Sequence, residues 1–155
     1  MQKIKIVCIG TIKDKFYIDA INEYKKRLQR YCDFEIIELP EFLPSSKFND
    51  EQIKGREADE ICKVLSGFVV VLDLNGKEIS SEELSEVIKS RSVFSDSKVT
   101  FVIGGSLGLG SEVLKRANIT IRMGKMTFPH QLVRVMLTEQ IYRAETIINN
   151  VKYHK

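Results

Sequence analysis

The sequence predicts one α/β domain, residues 1–155, with a mostly parallel sheet and helices on both of its faces. Two observations carry this. Short apolar, β-branched runs alternate along the chain with longer segments of helical periodicity. The runs Ile4–Ile9, Phe68–Leu72 and Val99–Ile103 are also apolar almost throughout, as strands are when both faces are covered. At 155 residues, 43% of them hydrophobic, the chain is long enough for one core and short for two domains.

In order, Ile4–Ile9 reads as a buried strand ending at Gly10. From about Asp14 to Tyr31 the residues Tyr17, Ala20, Ile21, Tyr24, Leu28 and Tyr31 recur at helical spacing among lysines and arginines, which gives an amphipathic helix. Phe34–Leu39 is a second strand, closed by Pro40, and Glu41–Asn49 a polar connection. A helical pattern over Asp50–Ser66 follows, through Ile53, Ala58, Ile61 and Leu65. After the strand Phe68–Leu72, Asn75-Gly76 is a turn signal. Ser80 and Glu83 form a capping box for a helix over about Ser81–Phe94. Val99–Ile103 runs directly into Gly104-Gly105; a short helix near Ser111–Ala117, the strand Ile119–Ile121, a loop and a long helix over about Pro129–Asn149 complete the chain. There, Thr127 or Phe128 would cap the helix and Pro129 suits its first turn. Leu132, Val133, Val135, Met136, Leu137, Ile141, Tyr142, Ala144, Ile147 and Ile148 spread over more than one stripe of that helix. It is therefore either central to one chain or shared with a second subunit across a two-fold axis.

Several classes of protein are disfavoured. Met1–Lys5 lead straight into an apolar run without an export leader, and no apolar stretch approaches the ~20 residues of a membrane span, so a soluble cytoplasmic protein is expected. Cys8, Cys32 and Cys62 are scattered and form no C-x-x-C pair, which fits neither a disulfide framework nor a zinc site. Net charge is only +3, but no acidic residue falls between Glu112 and Glu139, where Lys115, Arg116, Arg122, Lys125 and Arg134 lie. That stretch is either a phosphate-attracting surface or a set of solvated helix ends.

Two loops hold the candidate chemistry. Gly104–Gly110 has four glycines in seven positions just after a buried strand, where open α/β sheets bind ligands. It is either a ligand-cradling turn or a tight strand-to-helix connection. No Lys follows Gly110, which excludes a P-loop, and the spacing is not G-x-G-x-x-G. Met123–Gln131 joins a strand to the last helix, and its Met and Phe side chains with backbone amides suit an adenine ring. His130 is either a base or a residue that packs at the helix start.

The order Leu72-Asp73, Ile103-Gly104-Gly105-Ser106-x-Gly108-Leu109, Lys125-Met126-Thr127-Phe128-Pro129-His130-Gln131, Glu139-Gln140-Ile141-Tyr142-Arg143-Ala144 and terminal Tyr153-His154-Lys155 closely resembles the RlmH family. These are SPOUT-superfamily methyltransferases, and the similarity spans essentially the whole chain. The resemblance implies methylation, from S-adenosylmethionine, of N3 of a pseudouridine in helix 69 of 23S ribosomal RNA. It implies a SPOUT-type fold with a C-terminal trefoil knot, which connection rules alone would exclude, and a homodimer. Carried over position by position, the cofactor contacts are Leu72, Gly104, Met123, Gly124, Lys125, Met126, Thr127 and Phe128. Leu107 stands where the family usually has a polar residue, and Gly124 where it often has a serine. The tail Tyr153, His154 and Lys155 would reach toward the substrate at the partner's site.

Methyl transfer from a sulfonium is a displacement whose donor already carries the activating charge, so positioning dominates and no metal is called for. The imide acceptor must lose a proton, which calls for a base or a cationic neighbour. His154 is the first candidate base, with Arg143 and Lys155 as electrostatic partners. RNA would be held through the cations from Lys115 to Arg134, with Lys25, Arg27 and Arg30, on an assembled ribosomal surface. Against this stand a non-catalytic ribosome- or RNA-binding factor of the same fold, and a flavodoxin-like or other nucleotide-binding enzyme.

Overall fold

The computed structural model describes residues 1–94 and 96–155. Ten elements follow in order: β1 (Lys3–Ile9), α1 (Lys15–Leu28), β2 (Asp33–Leu39), α2 (Asp50–Val64), β3 (Phe68–Glu78), α3 (Ser81–Ser92), β4 (Lys98–Ile103), α4 (Ser111–Arg116), β5 (Ile119–Arg122) and α5 (His130–Ile148). The five strands form one sheet in the order β2-β1-β4-β3-β5. Every neighbouring pair is parallel.

Strand side chains alternate between two cores. Ile4, Ile6, Val70, Val99, Phe101 and Ile103 pack with Leu28 of α1, Leu84 and Ile88 of α3, and Leu137, Ile141 and Ala144 of α5. Val7, Ile9, Val69, Val71 and Val102 point the other way, onto Ala58 and Ile61 of α2 and Val113 of α4. The sheet thus has helices on both faces, as the unbroken apolar strands predict. Edge strand β2 keeps Asp33, Glu35 and Glu38 toward solvent or half-buried, which blunts a free sheet edge.

The capping box at α3 is present, with Glu83 N–H donating to Ser80 Oγ at 3.0 Å and Ser80 N–H to Glu83 Oε2 at 2.8 Å. Asn49 and Gln52 make a second one at α2, a signature available in the sequence. Two local expectations are corrected. Asn75-Gly76 lies inside β3 rather than in a turn between elements, and Ile121 pairs with both Leu72 and Lys77 across a bulge. A side chain at Gly76 would sit 2.5 Å from the Ile121 carbonyl carbon, so the glycine serves a close backbone approach that bends β3 around β5. At α5, Pro129 occupies the N-cap position without a side-chain cap, displacing the expected Thr127 or Phe128.

Arg134, counted among surface cations by its place in an acid-free stretch, is 2% exposed. Its Nη1 donates to Glu38 Oε2 at 2.8 Å, and Nη2 donates to the carbonyls of Ile9 at 2.6 Å and Gly10 at 2.9 Å. It fastens α5 to the carboxyl ends of β1 and β2 and is not available to phosphate.

Glu145 is buried on the same helix, and burial pushes its carboxyl up to about 7. Between the ordinary glutamate value and 7, the folded state holds a proton that the unfolded chain has released. Its contribution therefore falls as pH rises through that window. Glu145→Gln is expected to leave stability unchanged near pH 4 and to raise it by about 2 kcal/mol at pH 8, measured by urea denaturation at both pH values.

Candidate functional site

Strands β3, β4 and β5 are neighbours, so the middle of β3 at its register shift and the segments leaving the carboxyl ends of β4 and β5 converge. They enclose a cavity of about 300 Å³, lined by Leu72–Leu74, by Ile103–Ser106 with Gly108 and Leu109, and by Arg122–Gly124, Met126–Phe128, His130 and Val133. Of the sequence-predicted cofactor residues, Leu72, Gly104, Met123, Gly124, Met126, Thr127 and Phe128 are brought together here. Lys125 is exposed and lies outside the lining.

The lining is apolar with a few polar groups at its edge: Asp73, Ser106, Thr127, Arg122 and His130. Gly108 (φ 83°) and Gly124 (φ 145°) occupy backbone regions that L residues rarely adopt, and a side chain at either would meet no protein atom within 4 Å. The walls therefore leave room beside the main chain at both positions, which suits a ligand held by backbone N–H and C=O groups.

A larger hollow of about 590 Å³ adjoins the first, sharing Arg122, Met123 and Gly124, and extends past Ser80 and Ser81 to Glu139 and Gln140 on α5. The C-terminal tail lies nearby. α5 ends in a Schellman motif: Asn150 takes φ 54°, its N–H donates to Ile147 O at 3.2 Å, and Val151 N–H donates to Thr146 O at 2.9 Å. This reversal lays Tyr153 and His154 back along the helix. Tyr153 packs edge-on against Tyr142 with centroids 4.7 Å apart, and its hydroxyl donates to Glu139 Oε1 at 2.9 Å. Burial and the Glu139 charge both raise the Tyr153 phenol above its usual range, so it stays protonated.

Arg143 is held on the same carboxylate, Nε at 3.0 Å and Nη2 at 2.6 Å from Glu139 Oε1. Its Nη1 lies 3.1 Å from His154 Nδ1, and His154 Nε2 lies 2.6 Å from Glu82 Oε1. The structure thus joins three of the four sequence-predicted catalytic residues, Arg143, Tyr153 and His154. Lys155 is exposed. None of the four lines the smaller cavity. The sequence-predicted site omitted Glu82, whose only signal was a helix first turn, and Glu139, which opens the quoted Glu139–Ala144 motif at an i, i+4 spacing to Arg143. Cys8 and Cys32 are pushed up to about 11 and about 12 by burial, so neither is an activated nucleophile.

A family model described as "Predicted SPOUT methyltransferase" matches residues 2–154. Ribosomal RNA large subunit methyltransferase H of Caldicellulosiruptor bescii is 49% identical over 154 residues, covering 98% of this chain and 99% of that protein. The chain belongs to the RlmH family of SPOUT methyltransferases. The protein of the same name from Enterococcus faecalis is 46% identical over 159 residues, covering 99% of this chain and all of its own length. The fold is shared with a probable methyltransferase from Bordetella pertussis Tohama I, at TM-score 0.63 and 10% identity over 93% of this chain and 95% of that one. A probable methylase family protein from Haemophilus influenzae Rd KW20 matches at TM-score 0.54 and 16% identity, over 95% of this chain and 66% of its own. The cavity beside strands β3, β4 and β5 and the polar cluster at the end of α5 are thus two separate groups of residues in a SPOUT methyltransferase chain.

The docking of the tail is directly testable. Tyr153→Phe removes the bond to Glu139 while keeping the ring contact, so amide exchange over residues 151–155 is expected to accelerate severalfold, with global stability lowered by no more than about 1 kcal/mol. Hydrogen exchange read by NMR provides the measurement.

Proposed function

We propose that this protein is an S-adenosylmethionine-dependent methyltransferase that modifies N3 of a pseudouridine in helix 69 of 23S ribosomal RNA. It acts as a cytoplasmic homodimer of single-domain chains on assembled ribosomes. The observation that carries the reading is the 49% identity, along nearly the full chain, to proteins named ribosomal RNA large subunit methyltransferase H.

The residues of the smaller cavity fit the methyl donor. Apolar side chains of Leu72, Ile103, Met126 and Phe128 suit the adenine faces, and the open space beside Gly108 and Gly124 lets the main chain approach the ring edge and ribose. Asp73 supplies the negative group at the rim, complementary to the cationic parts of such a molecule. When bound, S-adenosylmethionine supplies an electrophilic methyl group. The chain's own work is then to orient the acceptor, exclude water and take up the imide proton. Arg143 offers a fixed cation to stabilise the imide anion. The His154 Nδ1 lone pair, beside the Arg143 guanidinium, is the basic atom of the ring.

The knot and the dimer belong to the same proposal. Support for the knot is the family match over residues 2–154. For the dimer, it is the half-buried Leu132, Val135, Met136 and Ile147 on α5, an apolar surface left partly uncovered in one chain. Lys115, Arg116, Lys125 and Lys152 remain exposed for phosphate contact, Lys115 beside Glu112 at 3.2 Å.

The test is incubation with ribosomes lacking the modification and a labelled methyl donor, followed by mapping of the labelled nucleotide. The expected result is one labelled pseudouridine in helix 69, with far less on protein-free RNA. Bound donor without any transfer would instead favour a non-catalytic ribosome-binding factor.

A further inference from the structure

We propose that Glu82 is a positioning residue of the transfer site, one that acts with Arg143 to fix the tautomer and orientation of His154. The inference rests on the reading of the tail given above.

A guanidinium has only donors. Arg143 Nη1, 3.1 Å from His154 Nδ1, therefore faces a nitrogen that accepts and carries no hydrogen. In the neutral ring the proton then sits on Nε2, which lies 2.6 Å from Glu82 Oε1, and an ionised carboxylate can only accept. The bond from His154 lowers the Glu82 carboxyl below its usual range, which keeps it ionised. The two assignments agree: one ring nitrogen faces a pure donor and the other a pure acceptor, so a single tautomer satisfies both.

Both partners are themselves held. Arg143 is fixed on Glu139 and lies over the Tyr153 ring, 4.7 Å from its centroid. Glu82 stands in the first turn of α3, where the Ser80–Glu83 capping box sets the helix start. The imidazole thus bridges α5 and α3, and two fixed points determine its plane. Without Glu82 the ring is free to turn over and present Nε2 to Arg143. The basic lone pair would then be divided between two positions.

The Glu82 side chain is 63% exposed and that of His154 24%. A hydrogen bond this open adds little to global stability, so variants at Glu82 keep the fold and report on positioning.

The test uses the full-length protein with nitrogen-15-labelled histidine; the chain has only two histidines, so the ring-nitrogen shifts of His154 read the tautomer directly. In the parent protein the Nε2–H form should dominate. Glu82→Ala is expected to give a tautomer mixture and a kcat about three- to tenfold lower, with the S-adenosylmethionine KM and the melting temperature unchanged. Glu82→Gln, whose side-chain carbonyl accepts the same N–H, should restore the tautomer and bring the rate within about twofold. A Glu82→Ala protein with an unchanged tautomer and rate would overturn the proposal while leaving the tail reading intact. His154→Ala at the parental rate would overturn both.

Discussion

The position of the last helix depends on one buried guanidinium. Arg134 bonds the Glu38 carboxylate and the carbonyls that end β1. Carbonyls beyond the last ladder bond of a strand need partners when buried, and a desolvated arginine needs acceptors for its donors. The two terminal nitrogens meet these acceptors, while the buried Nε has no partner among the described residues. Removing the arginine would leave those acceptors unpaired, at a cost of about 3 kcal/mol, a large share of the 5–15 kcal/mol typical of a domain. With Arg134 in place, the start of α5 is pinned beside the carboxyl ends of the strands. Phe128 and His130 then have little choice but to line the cavity there.

The same helix organises the second half of the site at its other end. The residue after its last carbonyls takes a left-handed conformation at Asn150, where glycine is commoner. The resulting reversal turns a terminus, ordinarily a place of disorder, into a docked segment. The aromatic contact with Tyr142 and the shared carboxylate of Glu139 then hold it. One 19-residue helix therefore runs from the cavity to the Arg143, Tyr153 and His154 cluster, and the larger hollow leads from Gly124 to Glu139.

Much of this was legible in the sequence because it rests on local patterns. Uninterrupted apolar strands require cover on both faces, and Ser80 with Glu83 can hardly be anything but a helix start. The glycines after β4 marked either a ligand-cradling turn or a tight strand-to-helix connection, and their segment lines the cavity. What escaped depends on residues distant in the chain. Nothing near Arg134 reveals Glu38, so its charge looked like surface. Asn75-Gly76 has the composition of a turn, and only the proximity of Ile121 makes it a bulge. Glu82 is ordinary first-turn chemistry until His154, 72 positions away, reaches it. The family resemblance pointed to the tail as functional, but the contacts that hold it come from the fold.

The central claim is that the cavity at one end of α5 binds the methyl donor independently of the tail docked at the other. Calorimetric titration of S-adenosylmethionine into a chain ending at Lys152, paired with a methyl-transfer assay on ribosomes, tests it most directly. The account predicts parental affinity with transfer abolished. Loss of donor binding together with transfer, or transfer at the parental rate, would contradict it.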